Sequence, residues 1–228
     1  WNKGFTKENH PGVAKISRTM KRRHIDNFRL WREKMRATGV IPSEYPSFPR
    51  SADLAEYIGA VLGDGNISTF PRSERIIITS NSNNPGFISR YTNLTKTLFG
   101  KNPVVSKVNG KHAVRISLYQ KNIARRLGIP AGDRSQLRFR TPRWISKNRE
   151  NITRFLRGLF EAEGSLSIHK PTCTYNFQFS NTNPSLLKAV EKGLKSLGYH
   201  PEIRKKAIRL RKRGEVESFQ KLSRFREY

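Results

Sequence analysis

Cysteine is almost absent: Cys173 is the only one in 228 residues. That excludes an internal disulfide and a cysteine-based zinc site, and it fits a reducing compartment. Acids are scarce, with 17 Asp and Glu against 45 Lys and Arg, so the formal charge is +28. Long apolar runs are missing. No stretch approaches the roughly 18 apolar residues that a membrane-spanning helix needs. No basic segment followed by an apolar one reads as a signal peptide. His10, His24, His112, His169 and His200 are scattered without metal-ligand spacing. No Gly-x₄-Gly-Lys-Ser/Thr loop is available to cradle ATP. Hydrophobic residues make up only 35%. Thirteen Phe, seven Tyr and three Trp nevertheless supply anchors for a folded core. The length suits one large domain or two of about 100 residues.

A charge of +28 needs a polyanion. Lys and Arg displace condensed counterions from phosphates, so nucleic acid is the expected partner. A membrane surface fits less well, because the basic residues are spread along the whole chain rather than along one amphipathic helix. An RNA-binding protein of ribosomal type and a DNA-binding protein both fit the charge alone.

Residues 1–50 read as a basic extension with 12 Lys and Arg against 4 Asp and Glu. Val13 to Ala37 lacks strong breakers and predicts a helix, with Ile16, Met20, His24, Phe28 and Trp31 on one face. Pro42, Pro46 and Pro49 then predict an extended tether. Beyond residue 50 the chain repeats. Asp64 and Glu163, Gly59 and Gly158, and Asn84-Pro85 and Asn183-Pro184 are each 99 positions apart; Ser80-Asn81 and Ser180-Asn181 are 100 apart. Several matches at nearly one offset indicate a duplicated unit. The expected division is an extension over 1–50, half-domains over 51–128 and 151–228, and a basic linker over 129–150.

Each unit predicts the order αββαββα, giving an α+β fold with two pseudo-symmetric halves. Helices over about 52–64 and 152–163 each end at a glycine suited to a left-handed cap. Asn-Pro then predicts a capped second helix. Asn109-Gly110 predicts a tight type I′ hairpin turn. The strands alternate: Tyr175, Phe177 and Phe179 point to a core, while Thr174, Asn176, Gln178 and Ser180 point away. Arg115 and Ser117 alternate with Val114 and Ile116, and Arg209 and Arg211 with Ile208 and Leu210. A solvated antiparallel sheet would alternate too. Together with Lys107, Lys111, Arg204 and Lys206, however, the outward residues are of the types that reach phosphates and base edges.

The first helix of each unit carries small residues four apart, Gly59 and Gly63 in one and Gly158 and Ala162 in the other. Such spacing lets two helices approach closely. Packed together, they would bring Asp64 and Glu163 to the same end. An acid at a helix C-terminus opposes the dipole, and two adjacent acids repel each other. A lone Asp-Gly is usually a turn; the same placement twice calls for a compensating cation. Mg²⁺ fits, because it binds through one or two carboxylates plus phosphate and water oxygens.

Tyr57 to Gly65 and Phe155 to Ser165, with Pro142-Arg-Trp-Ile145 upstream of the second, resemble the signature motifs of the LAGLIDADG homing endonucleases. The resemblance spans about residues 51–228. It implies signature helices packed as the interface between the halves, and saddle-shaped sheets on a long double-stranded DNA site. It implies cleavage of both strands across the minor groove with short 3′ overhangs. It places the metal on Asp64 and Glu163, assisted by the carbonyls of Gly63 and Ala162, with Glu161 structural. Two or three Mg²⁺ ions are implied, with Mn²⁺ substituting and Ca²⁺ binding without efficient cleavage. The family often has a Gln or Lys near the attacking water, where this chain has Ser80-Asn81 and Ser180-Asn181. It often has a basic residue before the linker proline, where Arg138 and Arg140 stand nearest. These six side chains are candidates for ordering water or stabilising phosphate; no general base is assigned. Trp1-Asn-Lys-Gly4 resembles a short module found beside such domains, so the extension is a candidate accessory DNA-binding segment.

The expected protein is a monomeric, intron-encoded, Mg²⁺-dependent DNA endonuclease with an asymmetric target, in the cytoplasm, nucleoid or a DNA-containing organelle. An intron RNA maturase and a binding-only regulator on the same fold are the alternatives. Members of either kind need not keep both acids. An active intein is not expected, because Trp1 is no splicing nucleophile and no His-Asn precedes Tyr228.

Overall fold

The computed structural model describes residues 3–42, 44–133 and 137–228. The chain divides into two compact units, residues 1–45 and 46–228. The first contains α1 (Pro11–Arg22) and α2 (Arg29–Ala37). His10 caps α1 by accepting the Val13 N–H through Nδ1 at 3.4 Å, and Pro11 sits where its missing N–H has no helical partner to lose. The single helix expected over 13–37 is therefore two. His24 takes φ +50°, and Asp26 Oδ1 accepts the Phe28 N–H at 3.1 Å, a local bond that competes with helix continuation. No residue of α1 or α2 is buried. Ile16, Phe28 and Trp31 of the expected apolar face are each more than half exposed. Trp1 and Asn2 of the N-terminal motif lie outside the described residues.

The second unit runs through two similar halves. The first half holds α3 (Ala52–Asp64), β1 (Gly65–Phe70), β2 (Ser73–Asn81), α4 (Pro85–Phe99), β3 (Val104–Lys107), β4 (Ala113–Gln120) and the short α5 (Ile123–Leu127). A short helix α6 (Arg143–Ser146) precedes the second half. That half holds α7 (Arg149–Glu163), β5 (Gly164–His169), β6 (Thr174–Ser180), α8 (Pro184–Ser196), β7 (Glu202–Arg204), β8 (Ala207–Leu210) and α9 (Arg213–Ser223). Among the described residues the sheets are antiparallel, with orders β1-β2-β4-β3 and β5-β6-β8-β7. Side-chain caps start the helices: Ser51 Oγ accepts from Leu54 N–H, Asn84 Oδ1 from Phe87 N–H, Asn148 Oδ1 from Asn151 N–H, and Asn183 Oδ1 from Ser185 N–H. Each half buries one sheet face under helices. In the second half Phe160, Phe177 and Phe219 interlock, with ring centroids 4.8 to 5.3 Å apart; such pairs add roughly 0.5–1.5 kcal/mol each beyond their burial.

Helices α3 and α7 pack on each other along their small residues. A Cβ on Gly158 would lie 2.0 Å from the Glu56 carbonyl oxygen, one on Gly59 2.3 Å from that of Phe155, and one on Gly63 2.4 Å from the Ala162 Cβ. Side chains at these glycines would push the helices apart. Glu56, fully buried on α3, ties the halves together. It accepts from Arg90 Nε at 2.5 Å and Nη2 at 2.7 Å, and pairs with Arg154 and, at 3.6 Å, with Arg157 of α7. Burial would push its carboxyl up, but the arginines outweigh burial and hold it below the usual range. Glu161 is buried, accepting the Arg226 N–H at 2.7 Å and the Tyr228 hydroxyl; it serves the fold.

Three local expectations are corrected. The glycines after α3 and α7 are not left-handed caps: Gly65 has φ −83° and Gly164 φ −91°. They are small because the chain folds straight from helix into strand, and a Cβ there would lie 2.6 Å from Val61 Cα or 2.3 Å from the Phe160 oxygen. The Asn109-Gly110 turn is not type I′. Only Gly110 is left-handed (φ +70°), and Lys111 N–H donates to Val108 C=O at 3.1 Å, the pattern of a turn with glycine third. The third correction concerns register. Gly65 pairs with Ile78 and Gly164 with Phe179, so Ser80 corresponds to Asn181, one residue off the alignment by dipeptides. The first half regains register with two extra residues before Asn84.

Candidate active site and nucleic-acid interface

Asp64 and Glu163 are the last residues of α3 and α7, and Gly65 and Gly164 open the edge strands β1 and β5. The close glycine packing carries the two helix ends together: a Cβ on Gly63 would lie 3.3 Å from Glu163 Cγ. Glu163 is half-buried, and Asp64 keeps solvent contact. Burial first, and then the Glu163 charge, push the Asp64 carboxyl up to about 6; burial pushes the Glu163 carboxyl up as well. Among the described residues no Lys, Arg or His forms an ion pair with either acid. Asn181 Nδ2 donates to Glu163 Oε1 at 3.3 Å. The carbonyls of Gly63 and Ala162 belong to last turns, where their own helices supply no donor.

The outer faces of the sheets follow from the register. In the first sheet Asn66, Ile77, Ser117 and Val104 share a row, as do Ser68, Arg75 and Tyr119, and Thr79, Arg115 and Ser106. In the second, Ser165, Gln178, Arg209 and Glu202 share a row, as do Ser167 and Asn176, and Ser180, Ala207 and Arg204. The opposite parity holds the core: Ile67, Ile76 and Leu118 in one sheet, Phe177 and Leu210 in the other. Each sheet thus offers a polar, cation-bearing face.

A model of the LAGLIDADG-like domain matches residues 150–228. The solved structures extend the likeness over both halves. Mesophilic variants of the homing endonuclease I-DmoI align at 19% identity over 76% of this chain and 95% of theirs, with a TM-score of 0.55. I-DmoI in complex with DNA and Mn aligns at 18% identity over 79% of this chain and 99% of its own, with a TM-score of 0.53.

The chain has the two-motif LAGLIDADG fold.

The N-terminal LAGLIDADG domain of DUF199/WhiA also aligns, at 17% identity over 79% of this chain and 86% of that one, with a TM-score of 0.51. No curated protein matches the sequence.

Within this LAGLIDADG fold, the expected site residues fall into groups. Arg115, Ser117, Thr174, Asn176, Gln178, Ser180, Arg204 and Arg209 lie on the outer faces. Lys111 and Lys206 lie in exposed hairpin turns, and exposed Arg211 follows β8. Arg209 is not free: Glu202 accepts its Nε at 2.7 Å and its Nη2 at 3.1 Å, and pairs with Arg204 as well. Lys107 stands opposite buried Val114, with core-side parity, and is exposed only because β3 is an edge strand. Ser80 shares that row and makes no hydrogen bond to Asp64 among the described residues. Asn81 Oδ1 accepts the Asn83 N–H at 2.9 Å, shaping the turn before α4. Arg138 is exposed between Leu137 and Phe139, which are both bonded to Ser185 at the start of α8. Arg140 lines a cavity with Ile152. Ile152 lies eleven residues before Glu163 on α7, roughly 16 Å along the axis at 1.5 Å per residue, so Arg140 is not brought to the acids.

Asn66, Ser68, Arg75, Thr79, Ser165, Ser167 and His169 were not among the expected contacts, though they share the outer parity. Their signal was present in the alternation Asn66-Ile67-Ser68 and Ser165-Leu166-Ser167. Phe70 and Tyr119 flank Arg75, with the guanidinium carbon 5.2 and 5.8 Å from the two ring centroids.

The donor set at the helix ends fits a hard divalent cation. It consists of two carboxylates and main-chain carbonyl oxygens, without sulfur or imidazole. No cluster of three or more His, Cys, Asp or Glu side chains suited to a metal exists among the described residues. A cation there would need oxygens from water or phosphate, which is the usual habit of Mg²⁺.

Proposed function

We propose that this protein is a divalent-metal-dependent, site-specific DNA endonuclease. The observation that carries this reading is the pair of carboxylates at the touching C-terminal ends of α3 and α7, with no cation paired to either among the described residues. Helix dipoles and mutual repulsion both disfavour that arrangement, and a protein that only gripped DNA would have no use for it. I-DmoI, whose fold is similar, has been crystallised with DNA and Mn.

Asp64 and Glu163, with the carbonyls of Gly63 and Ala162, would hold Mg²⁺ or Mn²⁺. Bound there, a divalent ion polarises a phosphodiester and lowers the pKa of a coordinated water. Asn181 orients the Glu163 carboxylate. The two sheets would lie against the major groove through their outer rows, Arg75, Arg115, Asn176 and Gln178 among them, with Lys111, Lys206 and Arg211 on phosphates. The halves differ in nearly every outer-face residue, so the target would be asymmetric and a single copy of the chain would suffice. Residues 1–45, basic and with no buried helix face, would add contacts to flanking duplex.

The test is a cleavage selection from a randomised plasmid library with Mg²⁺, run beside the Asp64→Asn/Glu163→Gln double variant. Enrichment of one long site, cut by the wild type and only bound by the variant, is expected. Equal cutting by both proteins would refute the assignment of the acids. Failure of the wild type to cut any library member would refute the nuclease reading.

A further inference from the structure

The helical side of the second half carries a groove that the DNA-cleaving site does not use. It lies between α8, the start of α7 and the segment 139–147, and encloses about 640 Å³. Five cations line it: Arg140, Arg143, Lys147, Lys188 and Lys192. No acid lines it among the described residues, and none of the five has an ion-pair partner there. Elsewhere on the second half Glu202, Glu215, Glu217 and Glu191 each hold a neighbouring base. Glu191 itself turns to Lys195, at 2.6 Å, rather than to Lys188 or Lys192.

The groove also has an aromatic floor. Phe139 is held by its N–H to Ser185 Oγ at 2.9 Å. Its ring stacks on Phe155 at 5.8 Å and 19° and remains partly exposed at the groove. A line of unpaired cations beside a fixed aromatic ring is the arrangement that holds single-stranded nucleic acid, with phosphates on the cations and an unstacked base on the ring. A duplex keeps its bases stacked inside and has nothing to place on Phe139. The groove opens on the helix side of β6 and β8, so a duplex along the outer sheet faces leaves it free.

We infer that this groove is a second nucleic-acid site that binds a single strand while the sheets hold duplex. The shared ligand chemistry is a phosphodiester backbone with an accessible base, from RNA or from single-stranded DNA.

The experiment uses the full chain and fluorescein-labelled (U)₁₅ and (dT)₁₅, read by anisotropy with and without saturating unlabelled 40-bp duplex. Binding of at least one oligonucleotide should persist with duplex present, and the preferred one identifies the sugar. The triple variant Arg143→Glu/Lys188→Glu/Lys192→Glu should bind it at least about tenfold more weakly. The slope of log K against log salt should fall in magnitude by about 2, at roughly 0.7 per phosphate contact on a single strand. Duplex affinity of the triple variant should change less than twofold. Phe139→Leu, which keeps an apolar contact with Phe155, should lose about fivefold for the oligonucleotide through stacking alone. Complete displacement of both oligonucleotides by duplex, or wild-type oligonucleotide binding by a folded triple variant, would overturn the inference.

Discussion

Asp64→Asn separates stability from metal binding. In the metal-free protein at neutral pH, Asp64 is a carboxylate at the negative end of α3, facing the negative end of α7 and Glu163. An unfavourable helix-end charge costs roughly 0.3–1 kcal/mol, and repulsion from Glu163 adds to it. Asn keeps the size and removes the charge. With chelator at pH 7.5 the variant should therefore be more stable by about 1 kcal/mol, or about 2–4 °C in melting temperature for a unit of this size. The pH dependence has a fixed sign. The folded carboxyl is raised to about 6 from 3.8. Between those values the folded state binds a proton that the unfolded state has lost, so wild-type stability rises as pH falls from 6 toward 3.8. The advantage of Asn should be full above pH 6 and shrink through that window.

Adding Mg²⁺ should reverse the ranking. A ligand bound only by the folded state stabilises by RT ln(1 + [L]/Kd), about 2.7 kcal/mol at one hundred times Kd. The wild type should gain this and Asp64→Asn little of it. Differential scanning fluorimetry with chelator and with a Mg²⁺ series, at pH 5, 6 and 7.5, reads both halves of the expectation. If Asp64→Asn is less stable than the wild type in chelator at pH 7.5, the carboxylate is held by something favourable and the repulsion argument fails.

Glu56→Gln leaves Arg90, Arg154 and Arg157 without their shared partner and should cost about 3–5 kcal/mol in urea unfolding. Because the Glu56 carboxyl is held below its ordinary range, its contribution is present above the unfolded carboxylate pKa and lost as pH falls through the lower folded value. The gap between wild type and Glu56→Gln should therefore narrow in acid. Gly158→Ala puts a methyl 2.0 Å from the Glu56 carbonyl and should destabilise by about 1–3 kcal/mol, as overpacking does; cleavage should fall with it as the helix ends separate. Asn181→Ala removes the donor to Glu163 and should slow cleavage with little change in duplex affinity, measured by comparing single-turnover rates with anisotropy. Duplex affinity of the wild type should fall steeply with salt, at about 0.9 log units per decade for each phosphate contacted.

The helices α3 and α7 were legible because one local pattern served two purposes. Gly59, Gly63, Gly158 and Ala162 set the packing, and that packing carries Asp64 and Glu163 to a common end. Strand faces were legible wherever residues alternate cleanly, as in Tyr175, Phe177 and Phe179. What the sequence hid were the features set by which side chains the folded chain brings together. Arg209 reads as an outward DNA contact, but Glu202, seven residues earlier and directly across the hairpin, occupies it. By family resemblance Arg140 reads as a neighbour of the paired acids, because it stands near the linker proline; the chain instead carries it to the start of α7.

The register shows why the two halves need not behave alike. Matching dipeptides set Ser80 beside Ser180, because sequence comparison places the inserted residues in the wrong turn. Hydrogen-bonded pairing has no such freedom: Gly65 opposite Ile78 and Gly164 opposite Phe179 force Ser80 to correspond to Asn181. One acid then has an amide donor at 3.3 Å, while the corresponding residue of the first half is a serine that makes no hydrogen bond to Asp64 among the described residues. Among the described residues no hydrogen bond offsets the burial and the Glu163 charge that raise the Asp64 carboxyl. The duplicated helices therefore hold their two acids in unequal surroundings, and one position of the second strand contributes to the difference.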